Sequence, residues 1–168
     1  MIANEAGIGK GTVYQYFQSK EEIFGHIIIV VFDELLRSWQ QIVESKIGPR
    51  RKIELMIDYT VDITIEMIHS NQKEQFSMIM EIFLYAFRNE GKVQLAEITQ
   101  NIYKILDPVI EEGIEKQVFE PVEARYIGFI LFSFLDGFGL HLFFQHKNYA
   151  PEKLKSIIKN LILKGILK

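Results

Sequence analysis

From Ile23 to Val43 apolar residues return every three or four positions without a break, at Ile23, Phe24, Ile27, Ile28, Val31, Phe32, Leu35, Leu36, Trp39, Ile42 and Val43. Only a helix brings such positions to one side, so the stretch is expected to form a rod of about 40 Å, at 1.5 Å rise per residue. Ser19 stands as its N-cap and Glu22, three residues on, completes a capping box, giving a helix over about Lys20 to Lys46. Such a rod joins whatever precedes it to whatever follows, and is the natural transmitter between them.

The same period continues beyond it. Gly48-Pro49 opens a helix over about Arg50 to His69, with Ile53, Met56, Ile57, Thr60, Ile63, Thr64 and Met67 along one side. A further helix, about Lys73 to Arg88, carries Phe76, Ile79, Met80, Phe83, Leu84 and Phe87 and stops before Asn89-Glu90-Gly91. The next, about Lys92 to Gln117, contains Pro108, which removes a backbone donor and is expected to kink it. Phe119-Glu120-Pro121 reads as a turn, followed by an apolar helix over about Val122 to Gln145. A polar loop, His146 to Ala150, leads to Pro151 and a last helix with Leu154, Ile157, Ile158, Leu161, Ile162 and Gly165 on one face and Lys153, Lys155, Lys159 and Lys164 largely off it. There is no strand pattern and no internal repeat, so the expected fold is all-α.

Ile127 to Phe144 approaches the length of a membrane span, but Asp136 at its middle would cost about 2.5–3.5 kcal/mol at a bilayer centre. A helix buried on most sides within an oligomer is the better expectation.

Ahead of the rod, Ile2 to Lys20 has the form of a helix-turn-helix: a short helical run to Ala6, a turn at Gly7 to Lys10, and a second helix from Gly11 to Phe17. At about 100° per residue Val13 and Phe17 share an inward face, while Thr12, Gln15 and Tyr16 point the other way. That arrangement suits a DNA major groove, with base edges met by the helix and phosphates by its free amides. Gly9 and Gly11 allow close backbone approach, and Lys10 and Lys20 bring charge to the strands. Tyr14 fits either core packing or a phosphate contact. A phosphate-binding loop is excluded, because Lys10 is followed by Gly11 rather than Ser or Thr, and Glu5 occupies the place of the required glycine.

The stretch IANEAGIGKGTVYQYFQSKEEIF resembles the end of the DNA-binding domain of TetR-type transcriptional repressors, through Thr12, Tyr14, Tyr16, Phe17, Lys20, Glu21 and Ile23 at the family's spacing. The resemblance implies contacts to a double-stranded DNA operator from Gly9, Lys10, Gly11, Thr12, Tyr14, Gln15, Tyr16 and Lys20. The family carries a first helix ahead of this point, whereas this sequence starts inside the second. Ile2, Ala6, Val13, Phe17 and Phe24 are therefore expected to lack an apolar partner, and DNA binding by the chain as given is expected to be weak. Gly9 stands where a capping Ser is common, a change worth a few tenths of a kcal/mol.

On this reading residues 1–19 are a remnant head, 20–46 the connecting helix and 47–168 a ligand-binding and dimerisation domain. The two closing helices suit an antiparallel pair that packs against its copy as a four-helix interface, an arrangement the resemblance also implies, with Phe129, Phe132, Leu154, Ile157, Ile158, Leu161 and Ile162 as its contacts. A homodimer holds two recognition helices about 34–36 Å apart, as a palindrome requires. Met56, Tyr59, Ile63, Met67, Phe76, Met80, Phe83, Phe87 and Tyr103 either form solid core or line a cavity for a small apolar effector; the resemblance favours the cavity.

Of the 168 residues 48% are hydrophobic and none is cysteine, which excludes disulfides, thiol chemistry and Cys-ligated zinc and fits a cytoplasmic address. The net charge of −3 is not that of a chain that coats nucleic acid, and in residues 1–20 Lys10 and Lys20 face only Glu5. His26, His69, His141 and His146 are scattered without metal-ligand spacing, so no metal, cofactor or enzymatic role is expected. The expected function is a TetR-like repressor released from a palindromic operator by an apolar effector; the alternative is a truncated chain that serves only as a dimeric small-molecule-binding body.

Overall fold

The structure is a computed structural model that describes residues 2–69, 73–88, 95–145 and 149–167. Along these run α1 (Ile2–Glu5), α2 (Lys10–Tyr16), α3 (Lys20–Glu44), α4 (Pro49–His69), α5 (Lys73–Arg88), α6 (Leu95–Glu115), α7 (Ala124–Gln145) and α8 (Pro151–Ile166). The all-α reading holds, and no described helix is long and apolar enough to cross a membrane.

The rod begins where its cap signal lies: Ser19 Oγ accepts the Glu22 amide at 3.1 Å. The Glu22 carboxylate reaches one residue further out than a capping box requires and accepts the Gln18 amide at 2.5 Å. At the other end the Ser45 hydroxyl donates to the Ile42 carbonyl, which closes α3 at Glu44 rather than Lys46.

The helix at the centre of the body is α4, on which α3, α5, α6, α7 and α8 all pack. Its faces meet five neighbours, yet its sequence is among the more polar, because its polar side chains are matched locally or by those neighbours. Thr60 donates to the Met56 carbonyl at 2.8 Å and Thr64 to the Thr60 carbonyl at 2.7 Å, which satisfies both hydroxyls inside the helix. Buried Lys52 pairs with Glu112 of α6 at 2.9 Å, Asp62 with Lys155 of α8 at 2.7 Å, and Asp58 with Lys159 of α8 at 2.6 Å. Lys116 and Lys52 together hold the Glu112 carboxyl below its ordinary range. Bonds that Lys155 donates to Asp62 and Glu152 hold its ammonium above its ordinary range. Around these pairs Trp39, Ile53, Met56, Ile57, Val61, Ile102, Leu106 and Ile110 form the fully buried core.

Two features of the body differ from the sequence reading. The closing helices α7 and α8 each seat on α4 rather than chiefly on one another. The segment after α6 is more than a turn. Gln117 takes a left-handed φ of 56°, and the Gln117 and Val118 amides donate to the Ile114 and Gly113 carbonyls at 3.0 and 2.8 Å, a Schellman ending. That reversal drives the Phe119 ring into the core over Gly113, and a single antiparallel bridge then ties Phe119 to Leu167, with the Glu120 amide on the Ile166 carbonyl at 2.9 Å. The C-terminal end of α8 is thereby fixed to the end of α6.

Candidate nucleic-acid interface and the body behind it

The turn between α1 and α2 uses a glycine where one is needed: Gly7 has φ +64°, and the Gly7 and Ile8 amides return to the Asn4 and Ala3 carbonyls. Gly9, at φ −68° and ψ 145°, caps α2 through its backbone carbonyl alone, with no side-chain bond. Helix α2 starts at Lys10, one residue earlier than the periodicity gives. Its inward side is formed by half-buried Val13 and Phe17, the latter set edge-on against the His26 ring of α3 with centroids 5.4 Å apart.

On the outward side Tyr14 and Tyr16 are 56% and 74% exposed, and Gln15, Gly9, Gly11 and Lys20 are exposed with them. Tyr14 is thus not a core residue. Thr12 is half-buried, with Oγ1 3.6 Å from where a Cβ on Gly9 would lie. The side chain of Lys10 lies outside the described residues. Phe24, expected to lack an apolar neighbour, finds one in Tyr85 of α5, with ring centroids 5.1 Å apart.

In the body, Met56 is 0% exposed and belongs to the solid core. Tyr59, Ile63, Met67, Met80 and Phe83 are half-buried on α4 and α5, while the side chains of Phe76 and Phe87 lie outside the described residues. Tyr103 is taken up in the seam between α6 and α7: its ring lies under the Arg125 guanidinium, 5.8 Å from the centroid, and near Gly128. Beside it sits Asp107, a residue no motif singles out. One of its carboxylate oxygens is buried without a hydrogen bond, and burial pushes its carboxyl up, against the pull of Arg125 and reinforced by Glu111. The groove of about 430 Å³ between α4 and α8 is lined mainly by polar groups, among them Arg50, Glu54, Ser156, Lys159 and Asn160, and is not the apolar cavity expected.

The interface residues sort less simply than their stripe implies. Ile158 is 3% exposed and faces α4, so it is a core residue of its own chain and not a contact for a copy. Phe132 and Ile162 also pack on that core, and Leu154 is half-buried. Phe129, Ile157 and Leu161 do face outward, the last 64% exposed. With them stand Tyr126, Ile130, Phe134, Leu140 and Phe144, a row at helical spacing along α7 that sequence reasoning missed. Its signal was present, since α7 is apolar on every side and one chain supplies neighbours for only part of that surface. The side chain of Asp136 lies outside the described residues. Among the described residues no group of His, Asp and Glu is placed to hold a metal ion.

A short helix offering polar and aromatic tips, pinned through Phe17 to a long rod, has the form of the reading element of a helix-turn-helix protein. Residues 1–27 match the family model described as bacterial regulatory proteins, tetR family. The fatty acid metabolism regulator protein of Bacillus subtilis is 21% identical over 166 residues, covering 98% of this chain and 82% of that one. Among solved structures, the fatty acid degradation regulator FadR of Bacillus halodurans superposes with a TM-score of 0.75 at 19% identity, over 98% of this chain and 86% of that one. FadR of Bacillus subtilis in complex with stearoyl-CoA gives 0.67 at 20% identity, over 98% and 86%. The first 27 residues thus carry the tetR-family pattern, and the relatives that the chain resembles along most of its length are themselves regulators.

Proposed function

We propose that the chain is a cytoplasmic repressor subunit that binds a palindromic operator as a homodimer and leaves it when a small apolar effector enters the body. The observation that carries this reading is the outward face of α2, where Tyr14, Gln15 and Tyr16 stand exposed on a helix whose other side is held inward. A major groove about 12 Å wide admits one such helix, and its base edges present donors and acceptors that Gln and Tyr side chains meet. The uncovered apolar row of α7, continued by Ile157 and Leu161, supports a second copy as the partner, since a two-fold contact covers the same patch on both chains.

The structure of a relative with stearoyl-CoA supports fatty-acyl thioesters as the first effector class to try, with half-buried Ile63, Met67, Met80 and Phe83 as the lining. To move the repressor from 99:1 bound to 1:99, the effector must prefer the released state by about 10⁴-fold. The reading is tested by selecting a palindrome from random duplexes at low salt and measuring anisotropy. Gln15→Ala and Tyr16→Ala are each expected to weaken binding about tenfold or more, and stearoyl-CoA to release the parent chain. A second reading, a dimeric ligand-binding body without competent DNA binding, is favoured by the slight charge of residues 1–20, where Lys10 and Lys20 face Glu5. Selection of no duplex by the parent chain would establish it.

A further inference from the structure

The helices α1 and α2 pack chiefly on each other, so their placement depends on α3 and on whatever holds its first turns. Among the elements packed on α3, α5 is the one whose side chain reaches Glu21 and Phe24 near its start. The Tyr85 hydroxyl donates to Glu21 Oε1, and the Tyr85 ring meets Phe24 edge-on, with centroids 5.1 Å apart and planes at 72°. Glu21 lies in the first turn of α3, beside the Glu22 that caps Gln18 and is itself capped by Ser19. One helical turn on, His26 takes the Phe17 ring at the end of α2. An unbroken line of contacts therefore runs from α5 through three consecutive turns of chain to the recognition helix. The Glu21 bond, with burial and the Glu21 charge, holds the Tyr85 phenol above its ordinary range, so it stays a donor.

We propose that Tyr85 is a positioning residue for operator reading: its hydroxyl straps α5 to the first turn of α3 and so sets the angle at which α2 leaves the body. This deepens the reading above and rests on it, because Met80 and Phe83, in the lining suggested there, lie on the same helix. An effector that shifts α5 moves the strap, and the strap moves the head.

The strap is measurable without DNA. The chain has no cysteine, so Gln15→Cys on α2 and Lys104→Cys on α6 can carry nitroxides in the full chain, diluted with unlabelled chain. The parent is expected to give one narrow distance. Tyr85→Phe, which keeps the ring on Phe24, is expected to shift or broaden it, Glu21→Ala to do the same, and the two together to do no more than either alone. Amides of Phe24 to Ile27 are expected to exchange about tenfold faster in Tyr85→Phe, as for loss of a hydrogen bond to a charged acceptor. A Tyr85→Phe distance that superimposes on the parent overturns the proposal, even if exchange quickens, because Tyr85 would then only steady its own turn. Failure of the parent to select any duplex would sink the operator reading, while the distance comparison would still decide the strap.

Discussion

Ile158→Glu will unfold the chain, whereas Leu161→Glu, three residues along the same helix, will leave it folded and sedimenting as a single 19.7 kDa subunit. Ile158 is 3% exposed and seated on α4 among apolar core residues. A glutamate there buries a carboxylate in the place of a packed side chain, and the expected loss is about 4 kcal/mol or more, most of a small domain's stability. Leu161 is 64% exposed, so its own fold gives up little when it changes. At a two-fold interface, however, the new charges are brought near one another and desolvated. Circular dichroism melts and sedimentation velocity on both variants check the pair. A folded monomer from Ile158→Glu would place the inner face of α8 wrongly, and an unchanged mass from Leu161→Glu would remove α8 from the interface.

Gly113→Ala carries the second large effect. A Cβ at Gly113 would stand 2.0 Å from Cδ2 and 2.3 Å from Cε2 of the Phe119 ring, distances that no small adjustment relieves. In a helix alanine gains about 1 kcal/mol over glycine. Forcing a fully buried ring out of its seat costs more, so the net expectation is a loss of about 3 kcal/mol. The ring is also what the Schellman ending of α6 and the Leu167 bridge converge on, so its displacement loosens the end of α8 as well. Urea titrations should show a lower midpoint for Gly113→Ala, with the deficit reduced when Phe119→Leu is added. Stability equal to the parent would mean that the ring has another place to go.

Much of this architecture is written in local sequence, and the parts that are not have a common cause. The start of α3 follows from Ser19 and Glu22, and the span of α5 from its aromatic spacing and the Asn-Glu-Gly after it, because caps and periods act within a few residues. The inner face of α8 does not follow in this way. Its most apolar stripe, from Leu154 through Ile157 to Leu161, lies roughly a third of a turn from the side that meets α4. That side is centred on Lys155, Ile158 and Ile166, and it is Asp62 and Asp58 on α4 that make two lysines acceptable there. No periodicity within α8 records carboxylates nearly a hundred residues away.

Phe119 escaped for a similar reason. Followed by Glu120-Pro121 it has the look of a turn residue, and its burial depends on a left-handed Gln117 and an absent side chain at Gly113. At the candidate reading surface 100° per residue sets half-buried Val13 and Phe17 apart from exposed Gln15 and Tyr16, but it also puts Thr12 outward, where the structure has it half-buried. The sequence left Tyr14 open between core and contact, and exposure removes the core reading; it did not foresee that Tyr85 would serve Phe24 as a neighbour.

The central claim is that an exposed recognition helix is presented twice, by two chains paired through α7 and α8. Sedimentation equilibrium of the chain with a selected palindromic duplex tests it most directly. A complex of two 19.7 kDa chains per duplex, lost on adding Leu161→Glu, is the predicted result; a chain that sediments as a monomer beside free duplex would contradict it.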